Sequence, residues 1–283
     1  MTMAKILDGK TVSQRIKDEL KNEVDTLKEK GINPGLAVII VGDDPASRVY
    51  VDNKKKACAQ IGIYSEEYAL PESTSQEELL ALIDKLNNKK EINGILVQLP
   101  VPKHINEETI INAIAPEKDV DAFHPVNVGK IMVGNFDFVP CTPAGVMELI
   151  SESGIDVCGK ECVVVGRSNI VGKPQAMLLL HKNGTVTICH SKTKDLAEKT
   201  KNADILVAAV GIPNFITGDM VKEGAVVIDV GINRVDKKLV GDVHFESAEK
   251  VASAITPVPG GVGPMTIAML MKNTVRAAII QNQ

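Results

Sequence analysis

A few polar residues interrupt stretches that otherwise read as buried, and their types are those of acid/base chemistry. Asp44-Pro45 marks a helix start, and at about 100° per residue Tyr50, Lys54, Ala57, Cys58 and Ile61 share one face of the helix that follows, while Lys55 and Lys56 point elsewhere with Asp52. A lysine among apolar residues is either a solvated chain at the margin of that face or a desolvated amine. The second kind loses proton affinity and can serve as an acid or base near neutral pH. Tyr50, one turn earlier, is either a second site group or a core aromatic with a bonded hydroxyl. Gln98 stands at the carboxyl end of the apolar run from Gly94 to Pro100, where an amide serves a site or caps a neighbouring loop. Asp119 and Asp121 flank Val120, sharing one side if the segment is extended, and one of the two is open to a structural role.

A second group of residues suits a phosphate. Residues 161 to 174 read as a buried strand (Cys162 to Val165), a sharp turn at Gly166, and a helix opened by Gly172, Lys173 and Pro174. The unpaired N–H groups and positive dipole end of such a helix favour an anion. Ser168 replaces the second glycine of Gly-x-Gly-x-x-Gly, so the motif alone is weak, and a phosphate-free turn is the competing reading. At the end of the next strand an NAD site places an acidic residue for the ribose 2'-hydroxyl. Here that position reads Cys189, His190, Ser191, Lys192, Thr193. No carboxylate repels a 2'-phosphate, and Arg167, Ser191 and Lys192 are available to receive one, which favours NADP over NAD.

These groups need a scaffold, and the pattern is α/β. Apolar β-rich runs at Thr185 to Cys189, Asp204 to Val210, Ala225 to Val230 and Ala254 to Val258 alternate with helical segments at Pro174 to His181, Lys194 to Lys201 and Phe245 to Val251. That alternation implies a Rossmann-like, doubly wound, mostly parallel sheet with ligands at the carboxyl ends of its strands, where Gly166, Gly211 and Gly231 stand. Strands at Leu36 to Val41 and Gly94 to Leu99, with helices at Val12 to Lys30, Pro45 to Ile61 and Gln76 to Asn87, form another α/β unit. Phe138 to Pro143 punctuates the boundary, with Thr142-Pro143 suited to an N-cap before a helix at Ala144 to Ser151. The helical spacing of Met265 to Gln281 is expected to return to the first domain, giving domains 1–140 plus 266–283 and 141–265 with a cleft between them.

Composition excludes several classes. The chain has 283 residues, 44% hydrophobic and 24% charged, as in a soluble globular protein of ordinary domains. A net charge of -4, a lysine run limited to Lys54 to Lys56, and scarce aromatics without Trp give no support for nucleic-acid binding. No signal peptide or apolar run of transmembrane length is visible. Five scattered cysteines without Cys-x-x-Cys read as reduced cytoplasmic thiols, and no histidine lies at zinc-ligand spacing, so no metal is expected.

Seven motifs occur in order: Ser47-x-x-Tyr50-x-x-x-Lys54, Val97 to Pro100, Lys118 to Asp121, Pro140 to Pro143, Gly166-Arg-Ser-x-x-Val-Gly172, Cys189 to Thr193, and Pro257 to Thr266. With them the chain closely resembles, over essentially its whole length, the bifunctional methylenetetrahydrofolate dehydrogenase/methenyltetrahydrofolate cyclohydrolases. The resemblance implies NADP-dependent oxidation of 5,10-methylenetetrahydrofolate to the methenyl cation, then hydrolysis to 10-formyltetrahydrofolate, a step of one-carbon metabolism. It assigns Lys54 as general acid/base, Gln98 and Tyr50 as its orienting partners with Tyr50 stacking on folate, and Asp121 as the pterin-binding carboxylate. Ser47, Val97, Leu99 and the loop Pro259, Gly260, Gly261, Val262, Gly263, Pro264 are implied to line the substrate site, and Gly166, Arg167, Ser168, Ser191 and Ile232 the cofactor site. A cytoplasmic homodimer joined through the nucleotide domain is also implied.

One departure stands out: Ala122 occupies a position where the family usually has glycine, so a positive φ there would carry strain and could shift Asp121. Two other readings compete. A different NADP dehydrogenase acting on a shikimate-like hydroxy acid leaves Tyr50, Gln98 and the proline-glycine loop unexplained together, and a non-catalytic nucleotide sensor requires a solvated Lys54. If Arg167 receives the 2'-phosphate, Arg167→Ala will raise the KM for NADP far more than the KM for NAD. Equal changes in steady-state assays would place the phosphate elsewhere.

Overall fold

The computed structural model describes residues 3 to 236 and 238 to 283. In chain order its elements are β1 (Lys5–Ile6), α1 (Gly9–Glu29), β2 (Gly35–Val41), α2 (Pro45–Ile61), β3 (Tyr64–Leu70), α3 (Gln76–Asn87), β4 (Gly94–Val97), α4 (Glu107–Ala113), α5 (Pro125–Val133), α6 (Cys141–Ser153), β5 (Glu161–Val165), α7 (Gly172–His181), β6 (Thr185–Cys189), α8 (Leu196–Lys201), β7 (Ile205–Ala208), β8 (Val226–Asp229), β9 (Asn233–Val235), β10 (Lys238–Val240), α9 (Phe245–Ala248), β11 (Ala254–Ile255) and α10 (Val262–Ile280). They form two compact units, one of Gln14–Val139 with Ile267–Gln283, the other of the residues up to Ser13 with Pro140–Thr266.

The smaller sheet has the order β3-β2-β4 and is parallel throughout. Every residue of β2 is buried, as a central strand covered on both faces requires. Ile39 and Ile95 pack there with Leu79, Ile83 and Leu86 of α3, a helix started by a reciprocal Ser75–Glu78 capping box. Lys118 ends that helix from outside it, its buried Nζ donating to the carbonyls of Leu86 at 3.1 Å and Lys89 at 2.8 Å. Strand β3 was absent from the expected elements because its centre reads Glu66-Glu67. Both carboxylates find donors along the sheet edge, Glu66 from Tyr64, Tyr68 and Lys89, and Glu67 from Arg48 and Lys55.

The larger sheet is parallel in the order β1-β11-β8-β7-β5-β6, and the buried strands β5, β7 and β8 match apolar runs in the sequence. Its first strand departs from the expected division of the chain. β1 pairs with β11, Lys5 opposite Ala254 and Ile6 opposite Ile255, with Lys5 N–H on the Ser253 carbonyl and Leu7 N–H on that of Ile255, both at 2.8 Å. A short charged segment thus satisfies a sheet edge, a role that its composition does not advertise. Helix α6 also starts earlier than expected. Pro140 is at the N-cap without a side-chain bond, and Thr142 lies inside the helix with its hydroxyl 3.1 Å from that of Thr266. Helix α10 begins in this unit and continues into the other, where the Asn273 amide donates to the Val120 carbonyl at 2.8 Å and the Val139 carbonyl at 2.9 Å.

Gln175 on α7 is fully buried, with its Nε2 3.2 Å from Met147 Sδ on α6 and its Oε1 without a hydrogen-bond donor. A stranded carbonyl costs about 1 to 3 kcal/mol. Gln175→Met, of similar length and apolar, is expected to raise stability in thermal or urea unfolding by about 1 to 2 kcal/mol. A lower melting temperature would mean that the carbonyl has a partner.

Candidate functional site

Helix α2 is positioned by its ends. Asp44 accepts the Ser47 N–H at 2.7 Å, Pro45 occupies the first turn, and Gly62 closes the helix in a left-handed conformation, its N–H on the Cys58 carbonyl. This phase buries Ala57, Cys58 and Ile61, and with them Lys54, which is only 9% exposed. The Lys54 Nζ donates to Gln98 Oε1 at 2.8 Å. Gln98 follows β4, its own N–H on the Ile39 carbonyl and its Nε2 on the Leu99 carbonyl, each at 2.8 Å. The second contact fixes the amide: with the NH2 on a carbonyl, the oxygen must face the Lys54 Nζ. Tyr50 is 41% exposed, so it is not a core aromatic, and Ser47 is buried at the helix start.

On the other side of the same strand end, Val97 and Leu99 line a small pocket with Asp121, Phe123 and Ile110. Asp119 makes an isolated parallel bridge to Ile95 between turns at 116–118 and 120–121, so the segment is not extended throughout and a turn separates the two aspartates. Asp119 is 2% exposed and accepts the His124 N–H and the Asn127 Nδ2, both at 2.8 Å; burial pushes its carboxyl above the usual range. It is a structural tie across the turn. Asp121 is half-buried at the pocket wall.

In the other unit, Gly166 follows β5 with φ 138°, and a Cβ there would lie 2.2 Å from the Ala209 carbonyl oxygen, so only glycine fits. The helix N-terminus behind it differs from expectation. The Ser168 Oγ accepts the N–H of Val171 at 3.2 Å and of Gly172 at 3.3 Å, and the Ser168 carbonyl accepts that of Lys173 at 3.0 Å. The N–H groups expected to be open to a phosphate are capped from within the turn, because a serine in place of the second glycine brings its own acceptor. Arg167 and Ser191 are exposed beyond paired strand ends, where Val165 lies opposite Cys189 and the Gly166 N–H meets the Cys189 carbonyl at 2.9 Å. Among the described residues Arg167 makes no ion pair. Pro259, Gly260 and Gly261 form the turn before α10, and Val262, Gly263 and Pro264 its first residues, with a Cβ on Gly263 lying 3.6 Å from the half-exposed Ile232.

No three His, Cys, Asp or Glu among the described residues could hold a metal ion, and no described helix is long and apolar enough to cross a membrane. Burial pushes the Cys58 thiol up to about 12 and that of Cys162 to about 11, so neither is a nucleophile near neutral pH.

A two-unit α/β enzyme with a buried lysine held on a strand-end glutamine in one unit and a dinucleotide-type sheet edge in the other is the class these features define. Residues 7–121 match the tetrahydrofolate dehydrogenase/cyclohydrolase catalytic domain, and residues 140–282 match that family's NAD(P)-binding domain. A bifunctional protein FolD of Acetivibrio thermocellus is 73% identical over 279 residues, 98% of each chain. The crystal structure of the bifunctional FolD dehydrogenase/cyclohydrolase of Campylobacter jejuni, 53% identical, superposes with a TM-score of 0.96 and coverage of 98% of this chain and 99% of that one. The Trypanosoma brucei enzyme, solved with NADP cofactor and inhibitor, is 42% identical with a TM-score of 0.96 and full coverage of both chains. The chain belongs to the tetrahydrofolate dehydrogenase/cyclohydrolase family.

Ala122, between Asp121 and Phe123, is fully buried at φ 58°, the left-handed conformation that makes a side chain costly. Ala122→Gly should change unfolding free energy by less than about 1 kcal/mol, because relief of strain of about 1 kcal/mol offsets the loss of one buried methyl, about 0.8 kcal/mol. Ala122→Val, β-branched and without space, should lose about 2 kcal/mol or more in urea unfolding. Equal stability of all three proteins would show that the backbone there is not strained.

Proposed function

We propose that the chain oxidises 5,10-methylenetetrahydrofolate with NADP and hydrolyses the resulting 5,10-methenyl cation to 10-formyltetrahydrofolate, and that Lys54 moves the protons of the second step. The observation that carries the reading is the buried Lys54 amine held on Gln98 Oε1 at 2.8 Å.

The residues present suit NADP. Arg167 and Ser191 project from adjacent strand ends with no carboxylate between them, and a guanidinium accepts a 2'-phosphate in paired hydrogen bonds. Ile232 and the Gly166 turn complete the cofactor contacts. The bound nicotinamide supplies a hydride acceptor.

Loss of hydride from the carbon bridging N5 and N10 leaves a cation stabilised by both nitrogens. Water adds to that carbon, its proton passing to the neutral Lys54 amine; the resulting ammonium returns a proton to N5 as the carbon–N5 bond breaks, the hydroxyl left on the carbon loses its proton to solvent, and the neutral formyl group stays on N10. A cationic substrate beside Lys54 disfavours the ammonium and holds more of the lysine as free base. Gln98 keeps the Nζ in place, since its amide cannot turn without losing the Leu99 carbonyl. Asp121 accepts hydrogen bonds from the pterin amine and ring N–H, Tyr50 stacks on the folate, and Ser47, Val97, Leu99 and the Pro259–Pro264 loop shape the substrate site. The enzyme works in the cytoplasm as a homodimer joined through its NAD(P)-binding domain and acts on folates, not on nucleic acid or membranes.

Lys54→Met is expected to abolish hydrolysis. With methylenetetrahydrofolate and NADP, the ultraviolet absorbance of methenyltetrahydrofolate should rise and then decay in the wild type, and its decay should fall to the uncatalysed rate in the variant. Formation of 10-formyltetrahydrofolate by the variant at the wild-type rate would remove Lys54 from the mechanism.

A further inference from the structure

Two aspartates that play no part in the chemistry above are buried at the carboxyl ends of the central strands: Asp229, 3% exposed, closes β8, and Asp242, fully buried, follows the β9–β10 hairpin. Neither makes an ion pair among the described residues. Their charge is met by N–H groups instead. Asp229 accepts those of Gly231, Asp242 and Val243, each at 2.9 Å, and its own N–H donates to the Thr256 hydroxyl of the segment after β11 at 2.7 Å. Asp242 accepts the N–H of Val210 at 2.6 Å and of Gly211 at 2.9 Å, and the Asn233 Nδ2 at 2.9 Å. The chain passes so near that a Cβ on Gly241 would lie 1.8 Å from Asp229 Oδ2.

Consequently the segment after β7, which carries Gly211, and the segment after β8, which carries Ile232, have no independent position; both hang on two carboxylates linked by the Asp242 N–H. We propose that Asp242 and Asp229 are positioning residues for the dinucleotide, holding the Gly211 and Ile232 segments at the sheet edge and so setting cofactor affinity without entering the folate chemistry. The inference rests on the assignment of this edge to the cofactor under Proposed function.

Every group facing these oxygens is a donor, so only the ionised pair satisfies them all. An asparagine at 242 would set its NH2 against either the Val210 and Gly211 N–H groups or the Asn233 amide. Burial, with Asp242 adding to it, raises Asp229 to about 6, while the three N–H bonds oppose the shift. Thr256 and Asn233 are the neutral groups beside the pair, and Asp242 is the charged group facing Asp229. As pH falls through about 6, Asp229 takes a proton and its hold weakens, because charge-assisted bonds are about twice as strong as neutral ones. A raised carboxylate binds more protons folded than unfolded, so this group adds stability as pH falls; weaker cofactor binding there is not unfolding.

The test measures both activities of purified Asp242→Asn. The KM for NADP should rise at least about tenfold, while hydrolysis started from methenyltetrahydrofolate, which needs no cofactor, stays within about twofold of wild type. Equal loss of both activities, or an unchanged KM, overturns the proposal. An inactive wild type would instead overturn the functional assignment. If the variant does not fold, the wild type decides. Its affinity for NADH, read by the cofactor's own fluorescence and free of a 2'-phosphate that titrates near pH 6, should fall below about pH 6 with the far-ultraviolet circular dichroism unchanged. A flat profile overturns the proposal.

Discussion

The hydrogen bond from Lys54 to Gln98 is the constraint on which the unit with the three-stranded sheet depends. A buried lysine amine is tolerated only where its donors meet acceptors. That requirement ties the rotation of α2 to the register of β4. A slip of β4 by one residue would replace Gln98 with Val97 or Leu99 and leave the Lys54 Nζ facing hydrocarbon. A turn of α2 by one residue would bring Lys55 inward and expel Lys54. The Asp44 cap fixes where the helix begins, and the Ile39 carbonyl fixes where Gln98 sits. A local cap and a non-local ladder thus meet in one side-chain contact.

The same accounting sorts the charged residues of Lys118 to Asp121, which look equivalent in sequence. Lys118 reaches the end of α3 and is consumed by its last carbonyls, at the cost of a desolvation that lowers its proton affinity. Asp119 is consumed by His124 and Asn127. Asp121 lines the pocket with Val97 and Leu99. An extended segment would place both aspartates on one side; the turn does not, because Ala122 donates back to the Asp119 carbonyl at 3.1 Å.

What was legible in the sequence follows from burial. Strands β5, β7 and β8 are covered on both faces and appear as unbroken apolar runs, and the face of α2 that carries Lys54 could be read from its period. The edge strands β1 and β3 were not legible, since they owe their places to backbone pairing and to ion pairs contributed from elsewhere in the chain. The role of Asp242 was hidden for a related reason: its partners lie in two segments that only the fold brings together. For Asp229 a signal existed, a carboxylate ending the run Val226-Val-Ile, of the same kind that drew attention to Gln98.

At the edge of the larger sheet, donors that a dinucleotide fold commonly turns toward phosphate are occupied by the protein's own oxygens. Ser168 covers the start of α7, and Asp229 and Asp242 cover the ends of β7 and β8. A helix N-terminus attracts any anion, so covering it removes affinity that cannot distinguish one phosphate from another. Arg167 and Ser191 are exposed side chains on adjacent strand ends. Discrimination at such an edge shifts from the backbone dipole to a planar guanidinium, which makes paired hydrogen bonds to a terminal phosphate and gains less from a ribose hydroxyl.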